Sequence, residues 1–272
     1  MDGGTLDRAG SRLRYWLDGP TGAPLVVFSH GAAMDHRMFD PQVPALTAAG
    51  YRTLTWDIRG HGESKPIGDL PLSTRDLTAD LLAILDELGE HGPLCVGGQS
   101  LGGYLAQELV FRHPERVAAV VIIGSTCVTM PISRRERWAL AASPLAFRLW
   151  PAGALRRTIA THTAVTPAAR EYALDAASRL SKAEFVTVWR AVAGALHPEP
   201  GYRIEQPLLL CHGDQDRAGN VARVAPRWAA RDPRCRYEVV PRAGHNANQD
   251  NPGWFNETLL DFLRTHYPVD GR

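Results

Sequence analysis

Gly98-Gln99-Ser100-Leu101-Gly102 is the stretch of this chain whose residue types and spacing most directly invite chemistry. A serine between small neighbours can sit on a tight turn with its hydroxyl projecting, while the chain on either side passes without collision. Leu94 to Gly97 reads as the strand entering that turn, and Leu101 to Phe111 as the helix leaving it. The helix start aims backbone N–H groups and a positive dipole end at the place where an oxyanion would form. A serine hydroxyl is a weak nucleophile until a base takes its proton, so a histidine and an acid are required downstream.

His245 is the histidine placed for that role. It follows the last strand candidate in Pro241-Arg242-Ala243-Gly244-His245, and sheets that carry a serine on such a turn use the chain order serine, acid, histidine. The acid belongs in the preceding loop, Gly213-Asp214-Gln215-Asp216-Arg217. Asp216, further along, is the orienting acid, and Asp214 reads as a turn former that bonds its own backbone. A third loop, Ser29-His30-Gly31-Ala32-Ala33-Met34, supplies the second oxyanion donor: the Ala32 N–H pairs with that of Leu101, and Gly31 permits close approach. His30 reads as structural.

These loops need a frame. Arg12 to Leu17, Leu25 to Ser29, Arg52 to Trp56, Leu94 to Gly97, Val117 to Ile123, Leu208 to His212 and Arg236 to Val240 read as strands, most of them continuous apolar runs typical of buried parallel sheets. Ser73-Thr74-Arg75-Asp76 resembles a capping box opening a helix to Leu88, and Trp254 to Leu263 is a second covering helix. The fold class is therefore α/β, a mostly parallel sheet flanked by helices. The alternation breaks between Pro131 and Pro200, where Ala168 to Leu180 and Lys182 to Leu196 are helical and no strand is evident. Residues 131–200 are expected to form an inserted helical cap, and 1–130 with 201–272 a single core.

Thirty basic and twenty-nine acidic residues give a net charge of +1, too balanced for the field that nucleic-acid binding needs. Arg134, Arg135 and Arg137 read as a solvated helix face. Cys95, Cys127, Cys211 and Cys235 are widely spaced, with neither a zinc pattern nor a disulfide framework. No cofactor or metal is implied. With no signal-like start and no run of 18 apolar residues, the expected address is the cytoplasm and no membrane partner is expected.

Taken in order, His30-Gly31-Ala32, the Asp57-to-Ser64 segment, the Ser100 pentad and the Asp216 and His245 loops resemble the α/β-hydrolase family over nearly the whole chain. The resemblance implies a serine hydrolase, nearest to carboxylesterases and enol-lactone hydrolases with a helical cap. Relatives that open epoxides or remove halides carry aspartate where this chain has Ser100, which disfavours those reactions. Hydrolysis of a carbon–carbon bond in a diketone uses the same triad and stays open, as do a perhydrolase side activity and a non-catalytic ligand sensor or partner-binding protein on the same fold. The expected partner is a small apolar ester or lactone, since the cap segment contributes Trp138, Phe147, Trp150, Phe185 and Trp189. Gly31, Met34, Trp138, Trp150 and Trp189 are the candidate substrate-binding residues. Oligomeric state is not legible.

Overall fold

The computed structural model describes residues 2–69 and 71–269. Its strands are β1 (Asp2–Arg8), β2 (Ser11–Asp18), β3 (Leu25–Ser29), β4 (Arg52–Trp56), β5 (Leu94–Gln99), β6 (Val117–Ile123), β7 (Leu208–Gly213) and β8 (Cys235–Val240). They form one eight-stranded sheet in the order β1-β2-β4-β3-β5-β6-β7-β8. From β4 across to β8 every pairing is parallel, and only the β1–β2 and β2–β4 pairings are antiparallel. The helices are α1 (Val43–Ala48), α2 (Thr74–Glu87), α3 (Leu101–Arg112), α4 (Arg134–Leu149), α5 (Ala152–Thr163), α6 (Pro167–Ser178), α7 (Lys182–Ala193), α8 (Val221–Arg231), α9 (Ala247–Asp250) and α10 (Pro252–His266).

Period-two alternation within the strands builds two cores. Val27, Val96, Val120, Ile122, Leu208 and Leu210 face one way and pack with residues of α2, α3 and α8. Val26, Phe28, Cys95, Val121, Ile123 and Leu209 face the other and pack with α1 and α10. Because both faces are covered, the central strands are mostly apolar, with polar residues such as Ser29, Gln99 and His212 at their carboxyl ends. The Ser73 side chain accepts from the Asp76 N–H and the Asp76 side chain returns the bond, so the anticipated capping box opens α2. All four cysteines are free thiols.

The first strand escapes sequence reading. Asp-Gly-Gly-Thr-Leu-Asp-Arg has neither alternation nor bulk, and it is a strand because β2 offers it a complete register from Asp2–Leu17 to Arg8–Ser11. Four helices, α4 to α7, fill the chain between β6 and β7.

Two buried histidines lock the loops that follow β3 and β4. The Ile58 N–H donates to His30 Nε2 at 2.9 Å, and the Ala33 N–H donates to His61 Nε2 at 3.1 Å. A backbone N–H can only donate, so each ring is neutral with its proton on Nδ1. Those Nδ1–H groups donate to the Gly31 carbonyl at 2.8 Å and the Ile58 carbonyl at 3.1 Å. Between them, the Asp57 carboxylate accepts from the backbone N–H groups of His36 and Glu63, each at 2.7 Å. The Asp57-to-Ser64 segment is thus a structural brace.

Burial, reinforced by the neighbouring His30, pushes the His61 ring from its ordinary 6.5 down to about 3. Once unfolded, the ring takes a proton near 6.5; folded, it refuses one until about 3. The unfolded state therefore binds more protons in that window, and stability falls as the pH falls through it. Urea titrations from pH 7 to pH 4 should show this slope. His61→Gln, which keeps an acceptor for Ala33, should flatten it by up to about 1.4 kcal/mol per pH unit. An unchanged slope would assign the acid sensitivity elsewhere.

Candidate active site

Ser100 stands between β5 and α3 with φ 51° and ψ −109°, a backbone conformation that side-chain-bearing residues avoid unless their surroundings enforce it. The enforcement is steric. A Cβ on Gly98 would strike the Gly102 backbone, and a Cβ on Gly102 would strike the Ser29 carbonyl. The two glycines of the pentad therefore allow α3 to start directly against the end of β3. Two hydrogen bonds fix the turn: the Ser100 N–H donates to the Ile123 carbonyl at 2.9 Å, and the Ser125 hydroxyl donates to the Ser100 carbonyl at 2.7 Å.

His245 follows β8, and its Nδ1 lies 3.0 Å from Asp216 Oδ2 and 3.2 Å from Oδ1. Both side chains are almost wholly buried. Burial alone would raise the Asp216 pKa, but the neighbouring His245 and the Ala218 N–H, donating at 2.8 Å, outweigh it and hold the carboxyl below its ordinary value. An ionised acid beside Nδ1 fixes the proton there and leaves Nε2 as the basic nitrogen.

Asp214 bonds its own backbone, as its turn position suggested, and reaches beyond that turn as well. Its carboxylate accepts from the Ala243 N–H at 3.0 Å, tying the β7 loop to the β8 loop. Those backbone hydrogen bonds, from Arg242 and Ala243, lower its pKa. The two loops meet so closely that a Cβ on Gly213 would strike the Ala243 and Gly244 carbonyls.

Ser100 and His245 line one cavity of about 580 Å³. The hydrogen bonds of the described residues include none between Ser100 Oγ and the His245 ring, so the pair shares the cavity without being locked together; such contacts commonly tighten only when substrate is bound. Ala32 lines the same space. Leu101 is buried, and as the first residue of α3 its N–H has no helical carbonyl to serve.

Of the residues anticipated to bind substrate, Met34 and Trp189 line this cavity. Gly31, Trp138 and Trp150 do not. Gly31 is buried against Gln99, whose amide a Cβ would strike. Trp138 is 75% exposed and Trp150 39% exposed, because α4 turns Glu136, Leu140, Ser143 and Phe147 inward and presents Trp138 on the far side. Phe147, Phe185 and Trp189 form a cluster with ring centroids 5.0 to 5.9 Å apart, and the Trp189 indole donates to Ser143 Oγ at 2.7 Å.

Sequence reading passed over three residues that position the site. Gln99 donates through its amide to the His245 carbonyl at 3.1 Å. Gly124, at φ 55°, lies where a Cβ would meet the His245 carbonyl at 2.7 Å and Nδ1 at 3.0 Å. Asp250 accepts from the Gly244 N–H at 2.9 Å and from Thr166 N–H and hydroxyl at 2.8 Å, joining the histidine loop to the start of α6. Gln99 and Gly124 act on a loop more than a hundred residues away and Asp250 also reaches Thr166, 84 residues back, so no local spacing marks these contacts. Among the described residues no group of three or more His, Cys, Asp or Glu side chains is placed to hold a metal.

A strained serine on a strand-to-helix turn that shares a cavity with a histidine–carboxylate pair on an α/β fold is the arrangement expected of a hydrolase-type site. Residues 26–258 match the model of the alpha/beta hydrolase family, and the chain belongs to that family. It is 32% identical to a pimeloyl-[acyl-carrier protein] methyl ester esterase of Aromatoleum aromaticum over 82% of this chain and 91% of that protein. It is 38% identical to 3-oxoadipate enol-lactonase 1 of Acinetobacter baylyi, a match spanning only 44% of this chain and 43% of the relative. The solved enol-lactonase of Burkholderia xenovorans LB400 superposes with a TM-score of 0.80 at 26% identity, over 93% of this chain and 96% of that one.

Gly124→Ala should slow the labelling of Ser100 by a serine-directed fluorophosphonate about 100-fold, the scale of a misplaced reacting group, with the fold retained by circular dichroism. Labelling at the wild-type rate would show that His245 keeps its position without the glycine.

Proposed function

We propose that this chain is a serine hydrolase that cleaves a small, largely apolar carboxylic ester or lactone through an acyl-enzyme intermediate. The observation that carries the reading is the placement of strained Ser100 and Asp216-bound His245 on the wall of one mostly apolar cavity. The kinship with an ester esterase and an enol-lactonase supports the same substrate class.

In this mechanism Ser100 Oγ attacks the carbonyl carbon while His245 Nε2 takes its proton. Asp216 keeps the ring oriented and stabilises its positive charge. The Ala32 and Leu101 N–H groups receive the carbonyl oxygen as it becomes an oxyanion. His245 then protonates the leaving alkoxide and afterwards activates the water that releases the acid; with a lactone, the alkoxide remains attached to the acyl chain. Residues 131–200 act as the cap: Phe147, Phe185, Trp189 and Leu140 line the acyl site and exclude water from it. An uncompensated second carboxylate in such a site would incur a desolvation cost.

Ser100→Ala should lower ester turnover by a factor on the order of 10⁴ or more with the fold intact. Asp216→Asn should depress turnover strongly and Asp214→Asn only slightly, and a reversed order would make Asp214 the acid. Matched neutral and dicarboxylate esters give the substrate test: faster turnover of the neutral one is expected, and an anionic preference refutes the apolar site.

A further inference from the structure

Charge is spread unevenly along this nearly neutral chain. Residues 131–170 hold seven arginines, Arg134, Arg135, Arg137, Arg148, Arg156, Arg157 and Arg170, against the single acid Glu136. Glu136 is itself engaged by Arg223 and by Asn220. The same segment contains four of the six large apolar side chains that the described residues expose: Trp138 at 75%, Leu145 at 61%, Leu149 at 75% and Trp150 at 39%.

Helical geometry turns this composition into a surface. At about 100° per residue, Trp138, Leu145 and Leu149 fall on one stripe of α4, opposite the Leu140, Ser143 and Phe147 face that lines the cavity. Arg134, Arg135, Arg137 and Arg148 lie on the flanks of that stripe and are exposed. None of the four is in an ion pair among the described residues. An outward apolar ridge bordered by unpaired guanidiniums is the pattern of a helix that lies in a lipid interface, its tryptophan and leucines in the acyl boundary and its arginines on the phosphates.

We propose that the outer face of α4 docks on an anionic phospholipid surface. Charge decides between this occupant and a second copy of the chain, because a two-fold contact would bring one arginine cluster against its own equivalent. The balanced total charge conceals this surface, since the counterbalancing acids lie elsewhere in the chain. No helix among the described residues is long and apolar enough to cross a membrane, and lying on one requires no such length. The same helix forms a wall of the cavity, so docking would set the proposed acyl site beside the acyl phase.

Sedimentation of the full chain with vesicles tests the proposal independently of any hydrolysis. Binding is expected to vesicles containing phosphatidylglycerol, to be weak to phosphatidylcholine alone, and to fall as salt is added. Arg134→Ser and Arg135→Ser should each weaken binding about fivefold, and Leu145→Ser with Leu149→Ser should weaken it further, with melting temperature and turnover of a soluble ester unchanged. Absence of vesicle binding overturns the proposal, as does equal binding by the variants. So does a dimer in light scattering that Leu149→Ser dissociates, or retention on polyglutamate without vesicle binding, which would assign the surface to an acidic protein.

Discussion

Everything at the carboxyl edge of the sheet depends on backbone approaching backbone more closely than a methyl group would permit. Gly102 lies against the Ser29 carbonyl, Gly98 against Gly102, and Gly213 against the carbonyls of Ala243 and Gly244. Each contact joins loops from different strands, so the serine, the acid and the histidine are held by main-chain geometry before any side-chain interaction is counted. The positive φ of Ser100 follows from the same constraint. A strand ending beside its parallel neighbour can launch a helix back over the sheet only through a sharp turn, and the surrounding contacts offset the strain of putting a serine there.

Buried polar groups fix what the glycines allow. Two neutral histidines and a buried aspartate hold the Gly31-to-Met34 loop to the loop after β4. Farther along, Tyr172 of α6 donates its hydroxyl to the Asp35 carbonyl at 3.0 Å, while Asp250 reaches the start of the same helix from the histidine loop. One helix is therefore joined to both the anticipated oxyanion loop and the base loop. By contrast α4 exposes most of its length, and the Glu136 link to α8 and the Ser143 link to Trp189 are among its side-chain contacts with the rest of the fold. These two helices thus differ in attachment, α6 tied to both loops by hydrogen bonds and α4 largely exposed.

The layout of the candidate site was legible where it is written in consecutive residues. The pentad around Ser100 signals its own turn, because a serine flanked by glycines at the junction of an apolar run and a helical pattern has few conformations available. His245 and Asp216 could be picked out through chain order, since parallel strands deliver their loops to one edge in sequence. Those same runs fixed the parallel sheet, as strands buried on both faces must be mostly apolar. Trp138 and Trp150 show where that reasoning stops: aromatic type says a residue is apolar, but which face of α4 looks into the cavity depends on what the helix packs against.

By itself, then, the sequence determined the strand-to-helix turn that carries Ser100, the chain order of the loops that carry Asp216 and His245, and the class of sheet beneath them, because each is written in a local pattern. Tertiary structure alone decided that Asp250, Gln99 and Gly124 position His245, that Asp214 braces the β8 loop, and that β1 is a strand at all. It also decided which face of α4 turns toward the cavity, and so that its arginines and exposed leucines are left outward. All of these depend on segments far apart in the chain meeting at hydrogen-bond distance or on one face, and no spacing along the chain encodes such a meeting.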